Sequence, residues 1–170
     1  MGFKDEFRDR AQEYARQNSL ALSDELGAGV HGIVFLTESQ PEKGQPAARS
    51  AIKAHQRQPD YRRERDIYLR LREHRVSNIR SCHVPQLLEF HDALLILEMT
   101  VVTRPFVLDF AGAYLDQAPD FPEETLADWR ADKQEQFGTR WPEVQAILRE
   151  LESYGIYMED VSPANISLAD

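Results

Sequence analysis

Leu26-Gly27-Ala28-Gly29-Val30-His31-Gly32-Ile33-Val34-Phe35-Leu36 is the stretch on which the reading of the fold turns. Its glycines at positions 27, 29 and 32 match a G-x-G-x-x-G spacing, which lets a backbone approach phosphate groups with no side chain in the way. The residues after the third glycine decide between two architectures. A dinucleotide-binding unit needs a helix there, and a distant acidic residue for the ribose. Ile33-Val34-Phe35-Leu36-Thr37 is β-branched and aromatic instead, so the run predicts the return strand of a hairpin. Residues 20–26 form the entering strand.

Working outward, residues 3–18 lack Gly and Pro and repeat apolar groups at Phe3, Phe7, Ala11, Tyr14 and Ala15, a one-faced helix. Residues 38–49 are rich in Gln, Pro, Gly and Lys and read as a solvated loop. Residues 51–54 resume as a third strand. Residues 61–74 are helical, with Tyr61, Ile67, Tyr68 and Leu71 on the apolar side. Residues 84–90 and 93–99 look like two strands joined at His91-Asp92. Beyond Val102 the character changes: an apolar run at 106–115, a Pro-rich turn region at 116–123, and helices at 126–136 and 141–154. Pro142 is tolerated in the first turn of the last helix and Gly155 ends it.

The expected fold class is therefore α+β: about five antiparallel strands with one helix, followed by a short, mostly helical part. The expected organisation is an N-terminal helix at 1–21, a strand-rich part at 22–101 and a helical part at 102–170. No internal repeat is present.

At 170 residues the chain suffices for one domain or two small lobes. The formal net charge of −9 argues against a general nucleic-acid binder. It leaves room for a nucleotide, because backbone N–H groups and a local Lys can hold phosphates against an acidic background. Cys82 is the single cysteine, so an intramolecular disulfide is ruled out and a reducing, cytoplasmic setting is expected. No apolar run approaches the ~20 residues that cross a bilayer, so no membrane association is expected.

Three further features lie downstream of the glycine turn, in order. Ser50-Ala51-Ile52-Lys53 puts a lysine on the third strand, 21 residues after Gly32. Glu64, within Arg62-Arg63-Glu64-Arg65, shares a helix face with Ile67, Tyr68 and Leu71. Tyr157-Met158-Glu159-Asp160-Val161-Ser162-Pro163-Ala164-Asn165-Ile166 sets an Asp and an Asn five positions apart across a Pro. Phosphoryl transfer needs such a carboxylate at the acceptor hydroxyl and a second oxygen ligand on the metal.

Taken with the glycine turn, these residues resemble the protein-kinase superfamily over roughly residues 22–170. The resemblance implies a kinase-like small lobe and a reduced second lobe. It implies ATP and Mg²⁺ as cofactors, with Gly27, Gly29 and Gly32 covering the nucleotide. Lys53 would take the α- and β-phosphates and Glu64 would fix Lys53. Leu26, Val34, Ala51 and Leu97 would wall the adenine, and backbone groups at Glu98, Met99 and Thr100 would bond its edge. Asp160 would accept or orient the acceptor hydroxyl and Asn165 would bind the metal.

In the family, that Asn precedes a hairpin and a second metal-binding Asp in D-F-G. Here only residues 166–170 come after it, and Asp170 would be ~17 Å from Asn165 if that segment were extended. Phe106-Val107-Leu108-Asp109-Phe110-Ala111-Gly112 looks like the strand leading into D-F-G, yet it precedes the catalytic-loop motif. Asp109 is expected either to supply the second carboxylate or simply to cap a turn.

The function expected is ATP-dependent phosphoryl transfer to a hydroxyl of a protein or small molecule. The rival is a pseudokinase-like module that binds nucleotide or protein without turnover. Ser162 stands where many protein kinases carry Lys; the family's activation segment and peptide-docking helices have no counterpart in this reading, so protein-substrate specificity is not expected to carry over. A reduced second lobe leaves apolar surface that a homodimer would cover.

Overall fold

Phe7, Ala11, Tyr14 and Ala15 are all buried, so the first amphipathic run forms its helix, α1 (Phe3–Gln17), and lays its apolar face on the sheet formed by the next strands. The computed structural model describes residues 3–41 and 46–169, with side chains from Asp5 onward. The Phe3 side chain, the middle of the expected loop at 38–49 and Asp170 lie outside the described residues and side chains.

The sheet consists of β1 (Leu20–Gly29), β2 (Gly32–Ser39), β3 (Arg49–His55), β6 (Leu87–His91) and β7 (Ile96–Thr100). Its spatial order is β1-β2-β3-β7-β6 and every pair is antiparallel. The class is therefore α+β with a five-stranded antiparallel sheet.

Period-2 alternation gives the sheet two distinct faces. Ile33, Phe35, Ile52, Ala54 and Ile96 join Phe7, Ala11 and Tyr14 of α1 in one buried cluster. Burial of each large side chain there stabilises the fold by about 1.5–3 kcal/mol. A polar chain on the same face fixes α1 more narrowly. Tyr14 donates to Glu98 Oε2 at 2.7 Å, Ser50 donates to Glu98 Oε1 at 2.7 Å, and Thr37 lies 2.6 Å from Ser50. Arg10 caps the arrangement by donating to the carbonyls of His55 and Leu94. The opposite face carries Val34, Ala51, Lys53, Leu97 and Met99, aligned across strands by register.

Between β3 and β6 come α2 (Gln58–Glu73), β4 (Asn78–Ile79) and β5 (Cys82–His83). After β7 come β8 (Phe106–Val107), a 3₁₀ turn at Phe110–Gly112, β9 (Ala113–Leu115), α3 (Glu123–Phe137), α4 (Trp141–Ser153), β10 (Ile156–Met158) and β11 (Ile166–Ser167). Two small sheets arise: β9 with β10, and β11-β8-β5-β4.

The chain forms two compact units. One contains residues up to Arg65 with Gln86–Val101; the other contains Asp66–Pro85 with the residues from Val102 on.

Some expected boundaries move for local reasons. The strand expected from 84 starts at Leu87, because the Val84 N–H bonds the Ser77 carbonyl in the second unit. The strand expected from 93 starts at Ile96, since residues 92–95 turn and Leu95 takes a left-handed conformation (φ 54°). The apolar run at 106–115 is two short strands around a 3₁₀ turn. Gly155 does sit at positive φ (74°), and a Cβ there would lie 2.2 Å from Asp116 Oδ1. Among the described residues, no helix is long and apolar enough to cross a membrane.

Candidate active site

In the first unit, β1 and β2 meet in a tight turn at Val30-His31, with Gly29 paired to Gly32 and Gly27 to Val34. The three glycines have different physical reasons. Around Gly27 and Gly29 nothing lies within 4 Å of an added Cβ, so that surface of the hairpin is open. At Gly32 the same atom would meet the Ala54 carbonyl oxygen at 2.2 Å, so that glycine is required by the neighbouring strand. The turn is tied down behind its tip: the His31 carbonyl accepts from Gln56, and the His31 ring lies 3.4 Å from Asp60. Asp60 is buried in the first turn of α2. Burial pushes its carboxyl up, but the bond from Arg57 and the contact with His31 outweigh that and hold it below its ordinary value.

Lys53 and Glu64 meet as the sequence suggests. Lys53 Nζ is 2.7 Å from Glu64 Oε2, and the two side chains are 7% and 1% exposed. A second partner escaped the sequence reading: His55 Nε2 lies 2.6 Å from that same Oε2. The signal was present, because Lys53 and His55 are two apart on β3 and so share a face. Burial favours the neutral acid at Glu64; the Lys53 ammonium and then the His55 hydrogen bond overcome it, and the carboxyl titrates at about 2. Glu64 Oε1 is buried with no hydrogen-bond partner among the described residues.

Ala51 and Leu97 are buried beside Lys53, Val34 is half-buried, and Leu26 is 51% exposed at the hairpin. Glu98, Met99 and Thr100 form the end of strand β7. β7 is an interior strand with β3 on one side and β6 on the other, so the backbone of Glu98 and Met99 faces strand partners rather than an open edge. The Thr100 N–H donates to the Gln86 carbonyl at 2.9 Å. The Glu98 carboxylate points to the α1 face, where it accepts from Tyr14 and Ser50. Backbone beyond the ladder begins at Val101.

In the second unit, β10 leads into the Asp160 segment and pairs antiparallel with β9, Met158 opposite Ala113. β11, just after Asn165, pairs antiparallel with β8, Ile166 opposite Val107. The Leu108 N–H extends that ladder by donating to the Asn165 carbonyl at 2.7 Å. Asp109 therefore comes directly after the strand that lies beside Asn165.

Asp109 adopts φ 61° and accepts from the Ala111 N–H at 3.4 Å, so it does cap the 3₁₀ turn. That turn is anchored by Phe110, fully buried and edge-on to Tyr68 at 5.4 Å. Its last residue abuts the Asp160 segment: the Gly112 carbonyl accepts from the Glu159 N–H at 3.2 Å, and a Cβ on Gly112 would stand 3.0 Å from Asp160 Cβ. Asn165 donates from Nδ2 to the Asp160 carbonyl at 3.0 Å, which leaves Oδ1 as its acceptor atom. Asp160 itself is exposed.

Asp109, Asp160 and Asn165 are thus assembled in one unit, and Lys53, Glu64 and the glycine turn in the other. Among the described residues there is no cluster of three or more His, Cys, Asp or Glu that could hold a metal. Mg²⁺ keeps waters and takes phosphate oxygens alongside one or two protein ligands, so its binding would not require such a cluster. Cys82 is fully buried and burial pushes its thiol up, which suits packing rather than nucleophilic chemistry.

No protein-family model matches the chain, and no curated protein is found to be similar to it.

Proposed function

We propose that the protein is an ATP-dependent phosphotransferase of the protein-kinase-like type, acting on a hydroxyl. The observation that carries this reading is the pairing of β8 with β11. A kinase-like site needs a strand after its metal-binding Asn to pair with a strand that ends in a second metal-binding Asp. Here the two strands come in the reverse order along the chain, yet they pair antiparallel and bring Asp109 onto the Asn165 segment. The buried Lys53–Glu64 pair supports the same reading from the other unit.

In this mechanism the Lys53 ammonium, oriented by Glu64, takes phosphate oxygens, and the open Gly27–Gly29 surface admits the phosphates. Asp160 receives the proton of the attacking hydroxyl. Asn165 Oδ1 and the Asp109 carboxylate would hold Mg²⁺, which neutralises charge on the phosphates when bound. Adenine-edge bonding falls to backbone beyond Thr100, because the Glu98 and Met99 positions are taken by the sheet. The chemistry asked of the protein is mainly positioning and charge stabilisation.

One observation favours the second reading, a nucleotide-binding or interaction module without turnover. Glu64 Oε2 serves His55 as well as Lys53, so the pair also has a packing role within the sheet and α2.

A thermal-shift titration with ATP and Mg²⁺ separates these readings. ATP with Mg²⁺ is expected to raise the Tm of the parent, and Asp109→Asn to remove the Mg²⁺ dependence of that rise. Asp160→Asn should keep the rise and abolish phosphate transfer. An unshifted parent sinks both nucleotide readings; a shifted parent with no turnover leaves the second.

A further inference from the structure

Within the second unit, α3, α4 and the strand running into Asp160 line a half-open pocket of about 560 Å³. That volume suits a small molecule, since ligand pockets span roughly 300–1,000 Å³. Its walls are mainly apolar: Phe121, Trp129, Trp141 and Tyr157, with Leu126 and Leu148 between them. Trp141 is 6% exposed and held by two ring contacts, edge-on to Trp129 at 5.9 Å and stacked with Phe137 at 6.1 Å.

α3 accounts for the pocket's presence. The helix has no buried residue. Its half-buried Leu126 and Trp129 line the cavity instead of entering a core.

The lining also carries charge. Arg130, itself paired with Glu123, and Arg149 stand with Glu152 and Glu159, so the lining has no excess positive charge and favours a neutral occupant over an anion. Aromatic walls favour a flat ring, which they meet edge-on or offset. A peptide would instead use an extended groove or a sheet edge. Tyr157, Met158 and Glu159 all line the pocket, and the next residue is Asp160.

We propose that this pocket is the acceptor subsite, and that the acceptor is a neutral small-molecule alcohol with a flat aromatic body rather than a protein side chain. The proposal rests on the phosphotransferase reading above. In the step it serves, the alcohol oxygen forms a bond to the γ-phosphorus of ATP. The bond from that phosphorus to the bridging oxygen breaks, releasing ADP, and the hydroxyl proton passes to the Asp160 carboxylate.

The chain has two tryptophans, Trp129 and Trp141, and both line the pocket, so tryptophan fluorescence reports on it alone. The probes are the para isomers of nitrobenzyl alcohol, nitrophenylethanol and nitrophenylpropanol, with nitrotoluene as the control lacking a hydroxyl. At least one alcohol should quench saturably without nucleotide. Thr125→Arg and Leu148→Phe, each checked for parental circular dichroism, should raise the half-saturating concentration tenfold or more. With labelled ATP and Mg²⁺, label should pass to the alcohols and not to nitrotoluene.

Absence of saturable quenching by all three alcohols overturns the proposal, as does quenching unchanged in both variants. Either result leaves the phosphotransferase reading standing if ATP with Mg²⁺ still shifts the Tm of the parent. Saturable quenching with label passing only to a serine-containing protein overturns the acceptor assignment. Quenching in a protein that ATP does not stabilise overturns it through the reading beneath, which the nucleotide titration without alcohol identifies.

Discussion

Replacing Glu64 by Gln removes one charge from a site that holds Lys53 and His55 against a single carboxylate oxygen. Two routes give the size of the effect. A carboxyl that titrates at about 2 instead of 4.5 prefers its charged form by about 3 kcal/mol, at about 1.36 kcal/mol for each tenfold in proton affinity. Independently, stripping one partner from a buried ion pair costs about 3–5 kcal/mol, because the surviving charge is left uncompensated. Both routes point to a loss of about 3 kcal/mol, or a fall in Tm of about 6–12 °C for a chain of this size.

The sign with pH is fixed as well. The folded-state carboxyl lies below its unfolded value, so its stabilisation is fully present above about 4.5 and is lost as pH falls toward 2. The gap between parent and Glu64→Gln should therefore be widest near neutrality and narrow in acid. Urea unfolding monitored by circular dichroism, run on the parent, Glu64→Gln, Lys53→Met and the double variant, measures the effect and the coupling. The double variant should be less damaging than the sum of the singles by about 2 kcal/mol or more. A Glu64→Gln protein within about 0.5 kcal/mol of the parent, or a strictly additive cycle, would refute the claim that this pair is one buried unit.

Packing sets two further outcomes. Gly32→Ala should cost about 1–3 kcal/mol, because its Cβ would strike the Ala54 carbonyl. Gly29→Ala, facing open space, should be neutral or gain roughly 0.4–1 kcal/mol through the unfolded chain; denaturation of the two variants side by side checks the contrast. Cys82 should react with a disulfide reagent only as fast as the protein opens, since it is fully buried with its thiol pushed up; rapid labelling of native protein would contradict that placement.

The long elements were legible because their patterns ran long enough to be periodic. α1, α2 and α4 carry apolar stripes, and the β2 run is too rich in branched and aromatic residues to be helical. The Lys53–Glu64 pair was legible for a related reason: helix phase placed Glu64 on the face that carries Ile67 and Leu71. The short strands at 78–79, 82–83 and 166–167 were not, because two residues hold no alternation to read, and the one at 106–107 was legible only as the lead into Asp109. Their pairing is set by tertiary contacts, and so the company Asp109 keeps was visible only as a conjecture. The pocket was hidden for the opposite reason. α3 has no buried residue and so no stripe, and its Trp129 and Leu126 look in sequence like scattered surface residues. Which backbone groups could meet an adenine edge was not legible either, because strand order decides which of them are spare, and strand order is not written locally.

The register of the small sheet in the second unit has one more consequence. Ser167 stands opposite Phe106, so the chain leaving β11 is positioned to turn directly into β8. A rearranged gene that moved residues 106–120 to follow β11 through a tight turn, and bridged residue 105 to the start of α3 with a linker, would convert a distant pairing into a local hairpin. Such a permutant should keep the same arrangement of Asp109, Asp160 and Asn165 and reach it faster, because closing a long loop would no longer precede the pairing. On that outcome the pairing, and not the order in which the strands are synthesised, positions the three residues.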